Sequence, residues 1–344
     1  MIFRKKTQKM KRIYFYRLPL ILLFFYFSFV SLYGQKPVLP DTLTIVHLTD
    51  IHTCNLTGYH PTIVSQRQYL MKNSDMFSGF IDSAPQRFDA DFFVITGDLV
   101  DFYEAETATG KIIGTQIEQF ADLINDSEIP FFLTLGNHDI ATYTVPQTSK
   151  FTSEQIRAGE ARASWMRNMA CFRNGTYYSR IYKVDTLTVR LLFLDNSFIA
   201  DEDYYDGVQP FIVDQYQLKW LDRQLKASPT DVEIIFTHIP LPSGKKTSSS
   251  ILSEPLSTYS SKASYYDLLN LLEKHSSTWA VIAGHTHTNS VNEYVFPDGD
   301  KLTQIVTGSF GNDRDNWRII KITGDKIMVS HPGDTDNEIV IQLR

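Results

Sequence analysis

The sequence predicts an α/β domain built on a mostly parallel sheet. Short apolar runs recur along the chain, helix-like stretches separate them, and several runs stop at a glycine. Residues 43–48, 91–96 (ending at Gly97), 130–135 (ending at Gly136), 232–237 and 279–283 read as buried strands. Residues 64–80, 113–123, 214–225 and 264–272 read as helices; the third carries Leu218, Leu221 and Leu225 on one face. Residues 176–184 and 187–194 read as an antiparallel hairpin, and 153–169 as a helix on a long insertion. Residues 302–306, 317–322, 326–329 and 339–343 read as closing strands. The Ser-, Pro- and Gly-rich stretch 240–261 reads as a loop, so one domain over 43–344 is expected after a linker at 35–42.

The composition is that of a globular protein: 344 residues, 43% hydrophobic and 21% charged. It excludes a disordered, collagen-like or low-complexity chain. The net charge is −6, but seven basic and no acidic residues fall in the first 34, leaving a body of −13. So acidic a body excludes a general nucleic-acid binder, which needs Lys and Arg to displace counterions from phosphates. It leaves room for a small phosphate-ester substrate held through metal ions.

Residues 4–17 are basic and 18–33 form an apolar run without charge. That order is the pattern of a secretory signal peptide. The run is slightly short for a transmembrane span of about 20 residues, so cleavage is the expectation and an N-terminal membrane anchor the alternative. Either way the body is expected to be exported, periplasmic or extracellular. Cys54 and Cys171 are the only cysteines, and their sequence positions leave pairing open. The sequons at Asn55, Asn125 and Asn174 read as chance, since a glycan on Asn55 would sit inside a candidate site.

The chemistry lies at the strand ends. The first strand ends in Asp50-Ile51-His52 and the second in Gly97-Asp98-Leu99-Val100-Asp101. The third ends in Gly136-Asn137-His138-Asp139, a later one at His238, and the next in Gly284-His285-Thr286-His287. Ligands of open α/β sheets collect at the carboxyl ends of the strands. Carboxylate and imidazole donors suit zinc, iron or manganese. Residues two apart, as in Asp50/His52 and His285/His287, share a face where the chain is extended. Taken singly, each piece reads as a turn, a cap or a core histidine. Together they place five of nine histidines at strand ends; His47, His60, His275 and His331 read as structural or solvated, with His60 a candidate rim residue.

The ordered set D-x-H, G-D-x-x-D, G-N-H-D, H and G-H-x-H, from Asp50 to His287, resembles the calcineurin-like metallophosphoesterase superfamily. The resemblance implies a four-layer α/β/β/α sandwich of two mixed sheets flanked by helices. It implies two metal ions: one held by Asp50, His52 and His287, the other by Asn137, His238 and His285, with Asp98 bridging. A bridging hydroxide would be the nucleophile. His138 would stabilise phosphate oxygens or protonate the leaving oxygen, oriented by Asp101, with Asp139 a weaker supporting candidate.

Departures narrow the resemblance. Purple acid phosphatases have a tyrosine where Asp101 stands. Protein Ser/Thr phosphatases have Arg-Gly where Phe102-Tyr103 stands and Glu in place of Asp139. The pattern is most similar to bacterial phosphodiesterases of the cyclic-nucleotide type, which implies diester hydrolysis, with a phosphomonoesterase of the same fold the alternative among enzymes. An inactive metal-holding protein is the alternative outside enzymes, disfavoured because none of these residues is replaced. Residues 54–61, 102–110, 141–172 and 240–261 are expected to wall the pocket. Tyr59, Tyr103, Tyr143 and Trp165 are candidates there for base stacking or loop packing, and Arg173 is a candidate phosphate contact.

Overall fold

Every residue of Leu43–Leu48 (β1) is buried, as a central strand covered on both faces requires. The computed structural model describes residues 40–125, 127–146, 150–199, 211–226, 230–242, 266–275, 277–332 and 334–343. The expected signal or anchor and residues 243–265 lie outside them. Among the described residues no helix is long and apolar enough to cross a membrane.

After β1 come α1 (Pro61–Arg67), α2 (Asn73–Phe88) and β2 (Phe92–Thr96). Then follow β3 (Glu104–Glu106), β4 (Ile112–Ile113), α3 (Gln116–Ile124), β5 (Phe131–Thr134), β6 (Thr142–Thr144), β7 (Thr152–Glu154) and α4 (Ala158–Asn168). The second half runs β8 (Tyr178–Val184), β9 (Leu187–Phe193), β10 (Phe198–Ile199), β11 (Phe211–Ile212), α5 (Gln215–Lys226), β12 (Val232–Phe236) and α6 (Asp267–Leu272). It closes with β13 (Thr278–Ala283), β14 (Ser290–Val295), β15 (Lys301–Val306), β16 (Arg318–Ile322), β17 (Lys326–His331) and β18 (Asp334–Gln342).

Two six-stranded mixed sheets result, ordered β18-β17-β16-β1-β2-β5 and β14-β15-β13-β12-β9-β8. The expected parallel pairs are β1 with β2 and β2 with β5 in one sheet, and β9, β12, β13 and β15 side by side in the other. The sheets meet through aromatic rings, Phe132 of β5 lying 5.6 Å from Phe193 of β9. Burying each such side chain contributes about 1.5–3 kcal/mol. Phe77 and Ile81 of α2 and Phe120 of α3 pack with the first sheet in the main core. Leu218, Leu221 and Leu225 of α5 pack with Leu192, Ile235 and Val281 of the second. These are the four layers α/β/β/α.

Two expectations fail informatively. The single helix expected over 64–80 is two helices with a 3₁₀ turn, Gln68–Leu70, between them. The first begins three residues earlier, at Pro61, with the His60 ring accepting from the Thr62 N–H; His60 is thus a cap. The break lets Asn73 point inward, where its amide is fully buried. The loops at 102–110 and 141–172, expected to wall the pocket, carry β3, β6 and β7, which join β4 in a four-stranded sheet, β4-β3-β6-β7, that was not expected from the sequence. The helix expected over 153–169 is α4. The four-stranded sheet covers an apolar cluster of Cys54, Leu56, Tyr59, Phe102 and Tyr143.

Candidate active site

Three of the five strand-end motifs turn into left-handed backbone. Among the described residues, seven non-glycine positions have positive φ, and five are Asp50 (52°), His52 (50°), Asp98 (49°), His285 (69°) and His287 (59°). Left-handed backbone costs an L-residue roughly 1–2 kcal/mol, and such strain concentrates where function demands a side-chain direction. The extended geometry expected for the two i, i+2 pairs is therefore replaced by left-handed turns. His285 and His287 consequently serve different clusters.

In the first cluster, His287 Nε2 lies 3.2 Å from Asp50 Oδ1 and 3.4 Å from His52 Nε2. His52 Nε2 lies 3.5 Å from Asp98 Oδ2. In the second, His238 Nε2 lies 3.3 Å from Asp98 Oδ2, 3.2 Å from Asn137 Oδ1 and 3.3 Å from His285 Nδ1. Asp98 Oδ2 thus stands between the two groups.

The donor chemistry fits metal ions. His238 Nδ1 is 2.8 Å from the Thr96 carbonyl and must donate to it, so a neutral ring turns a lone pair at Nε2 toward three other acceptor-type atoms. Asp50 Oδ2 accepts from the His285 N–H (2.9 Å) and the Thr49 hydroxyl (2.7 Å), while the buried Oδ1 has no hydrogen-bond partner and faces the first cluster. A tetrahedral ion with bonds of about 2.0–2.1 Å sets neighbouring donors about 3.3 Å apart. Six of the observed spacings, 3.2–3.5 Å, lie close to this value, while Asp50 Oδ1 and His52 Nε2 stand wider, at 4.0 Å.

The field around these groups follows from burial and crowding. Burial pushes the Asp98 carboxyl up, but the surrounding His238, His138 and His52 rings reverse this and hold it well below the carboxylate range. Burial lowers His238, yet Asp98 and Asp50 carry it up to about 10. His285 is pushed down to about 4 by burial and by neighbouring His238. One buried acid is thus shared by competing rings, an arrangement that cations would relieve.

His138 borders this centre, with a quarter of its side chain exposed. Asp101 was expected to orient it through its carboxylate. Instead His138 Nδ1 is 2.8 Å from the Asp101 main-chain carbonyl and 2.8 Å from the Tyr143 hydroxyl, with the Asp101 Oδ1 farther, at 3.6 Å. The reason is Arg67. Its Nε donates to Asp101 Oδ2 at 2.7 Å and a terminal nitrogen donates to Oδ1, drawing the carboxylate away from the ring. Tyr143 is 1% exposed, so it packs the wall rather than stacking on substrate.

Further residues shape the motifs from behind. Asn73 Nδ2 donates to the carbonyls of Ile51 (2.8 Å) and His52 (3.3 Å), bracing the first turn. The Asp139 carboxylate accepts from the N–H groups of Leu99, Val100 and Gly136, tying the second and third motifs together. A side chain at Gly136 would overlap the Asp98 carboxylate, and one at Gly284 would overlap Thr49. The Asn312 amide lies 3.2 Å from His287 Nδ1. Reasoning from sequence missed Arg67, Asn73 and Asn312, none of which lies in a motif. Arg173 and the three sequon asparagines are exposed. Cys54 and Cys171 are both free thiols; burial pushes the Cys54 thiol up within its apolar cluster, and it is in none of the candidate metal-binding groups.

Comparison with known proteins agrees with this geometry. Residues 43–289 match the calcineurin-like phosphoesterase family. The serine/threonine-protein phosphatase CPPED1 of Bos taurus is 24% identical over 252 residues, 69% of this chain and 65% of that protein, so the chain spans just under two-thirds of this relative's length. A dimetal phosphatase from Danio rerio superposes with a TM-score of 0.55 at 14% identity, covering 89% of this chain and 100% of that one. PhoD gives 0.54 at 13%, covering 90% and 71%, and GAP50, described as the anchor in the inner membrane complex of Plasmodium, gives 0.52 at 16%, covering 88% and 90%. At such identities the structural likenesses speak to the fold alone. With nearly three-quarters of its length matched, the chain belongs to the calcineurin-like phosphoesterase family.

Proposed function

We propose that this protein hydrolyses phosphodiester bonds as a binuclear metal-dependent phosphoesterase. The observation that carries the proposal is the position of Asp98 Oδ2 between two sets of nitrogen and oxygen donors. Asp50, His52 and His287 would hold one ion, Asn137, His238 and His285 the other, and Asp98 both. Two such ions supply water of lowered pKa and offset charge on phosphate oxygens. Manganese, iron and zinc all suit the donors.

The chain's own groups do the rest. The Asp101 carbonyl accepts from His138 Nδ1, which leaves Nε2 as the atom that carries or receives a proton. That nitrogen serves as general acid toward the leaving oxygen or as donor to the phosphate. The exposed sides of Asn137, His138 and His287 open the centre to substrate, while Asp50, His52 and His238 form its buried floor.

Diester specificity is supported by the motif pattern and by the engagement of Arg67 with Asp101. A monoester dianion gains more from an additional guanidinium than a singly charged diester does. The name of the bovine relative favours the second reading, a phosphomonoesterase. Hydrolysis of bis(p-nitrophenyl) phosphate against p-nitrophenyl phosphate by metal-stripped protein, then with Mn²⁺, Zn²⁺ or Fe²⁺ restored, separates the two. Diester preference supports the proposal, and monoester preference replaces it. The basic-then-apolar segment ahead of residue 35 supports export of the body, tested by cell fractionation.

A further inference from the structure

Behind the two donor clusters lies a third group with metal-ligand spacing: His52, Asp101 and His138. Asp101 is its hub. Its Oδ1 lies 3.7 Å from His52 Nδ1 and 3.6 Å from His138 Nδ1, and its main-chain oxygen accepts from the Tyr143 hydroxyl at 2.8 Å. His52 Nδ1 is buried, and the carboxylate of Asp101 is the charged group that faces it. Both rings thus turn Nδ1 toward Asp101.

Asp101 has no solvent contact, and what holds its carboxylate in this place is Arg67. Arg67 is the last residue of α1, and its guanidinium engages both carboxylate oxygens. The guanidinium lies near the rings of Tyr69, Tyr143 and Phe151, at 5.6, 5.9 and 6.0 Å. A planar fork held between two oxygens and flanking aromatic rings fixes a carboxylate in orientation as well as position, which an ammonium cannot do.

We infer that Arg67 is a positioning residue that stands in the place of a third cation. It clamps Asp101 behind His52, directing the Nε2 of His52 toward the donor centre, and keeps the carboxylate 3.6 Å from the His138 ring, which the Asp101 main-chain carbonyl and Tyr143 hold. By occupying both oxygens of Asp101 it keeps a metal ion out of the His52–Asp101–His138 group, leaving His138 unligated. The inference deepens the phosphoesterase reading and rests on it for the role of His138, but the effect on metal binding is independent of turnover.

The test compares full-length wild type, Arg67→Lys and Arg67→Met. Zn²⁺ stoichiometry is read by equilibrium dialysis, Zn²⁺ affinity of the metal-free protein by calorimetry, and kcat and KM on bis(p-nitrophenyl) phosphate. Loss of a partner that orients a metal-bound histidine typically costs 10–100-fold in metal affinity or activity. Arg67→Met should therefore weaken Zn²⁺ binding 10–100-fold or admit an additional ion. Its kcat should fall by a similar factor, with KM within about threefold of wild type. Arg67→Lys, which keeps the charge but not the fork, should recover less than half of the lost affinity. A folded Arg67→Met protein with wild-type affinity, stoichiometry and kcat overturns the inference. If Arg67→Met does not fold, Arg67→Lys decides it: wild-type values in every assay overturn the clamp, and a reduced kcat with altered Zn²⁺ binding supports it. A wild type inert toward every phosphate ester would remove the catalytic reading, while the Zn²⁺ measurements would still decide the clamp.

Discussion

Asp98 Oδ2 and His238 Nε2 stand 3.3 Å apart, and the other nitrogen of His238 is committed to the Thr96 carbonyl. The pair ties the end of β2 in one sheet to the end of β12 in the other. Asp98 Oδ1 meanwhile accepts from the His138 N–H at 2.9 Å, so each oxygen of one carboxylate has a separate task. Asp98→Asn keeps the Oδ1 acceptor but removes the charge between the donor sets. Turnover is expected to fall at least 10³-fold and bound metal to drop below wild-type content, with the far-UV CD spectrum unchanged. Wild-type activity in purified Asp98→Asn would sink the assignment of the site.

The hydroxyl of Tyr143 touches His138 Nδ1 and the Asp101 carbonyl, while its ring packs 4.4 Å from Phe151 and 5.0 Å from Phe102. Tyr143→Phe deletes the hydroxyl and keeps the packing. A tenfold loss of kcat corresponds to about 1.4 kcal/mol, the scale of one hydrogen bond. The expected outcome is about a tenfold lower kcat with KM unchanged. His138→Ala should cost 10²–10⁴-fold if the ring is a general acid. That loss should be larger for diesters with alkyl leaving groups than for p-nitrophenyl esters, whose leaving oxygen needs no proton. Equal losses for both would assign His138 to phosphate stabilisation instead.

Asn73 braces the left-handed turn of Asp50 and His52 through two carbonyls. Asn73→Ala leaves those buried carbonyls without their donor, at a cost of about 1–3 kcal/mol. At an unfolding entropy of about 2.1 cal/mol/K per residue, about 1 kcal/mol shifts the Tm of a chain of this size by roughly 1.5 °C. The expected variant melts a few degrees lower and binds metal more weakly than wild type. An unchanged Tm with full metal content would show that the turn holds itself.

The residues that the fold gathers into the donor clusters were legible in the sequence because each lies just past a buried strand, and burial leaves a clear apolar run before it. β1 and β12 show this plainly, all their residues being buried. What supports the donors was not legible. Arg67 and Asn73 act across 34 and 22 residues of chain, and nothing local to either records its partner. β14 was missed because it is an edge strand with alternating partly and fully exposed positions and no apolar run. The four-stranded sheet at the wall was missed because its strands are two or three residues long and one, β7, is exposed throughout. The left-handed backbone of the motifs is set by long-range contacts such as the Gly311 N–H on the Asp50 carbonyl, which sequence spacing does not contain.

Acid stability should carry the signature of His47, which lies on β1 three residues before Asp50, whose charge partly opposes the effect of burial. His47 is fully buried between the hydroxyls of Thr96 (2.9 Å) and Thr307 (3.1 Å). Burial, and then the charge of Arg318, push it down to about 3 from an ordinary value of 6.5. Between those two values the unfolded chain binds a proton that the folded chain refuses. Stability therefore rises with pH across that window and is lost as the pH falls from about 6.5 toward 3, at up to about 1.4 kcal/mol per pH unit. Above pH 7 the group contributes no slope. In His47→Gln this titration is gone, whatever fixed offset the substitution brings. Urea unfolding of both proteins at pH 8.5, 7.5, 5.5 and 4.5, in chelator, should give a stability difference that is constant at the two higher values. Below them the difference should shift in favour of the variant. Parallel pH curves for the two proteins would show that His47 is not held neutral in the fold.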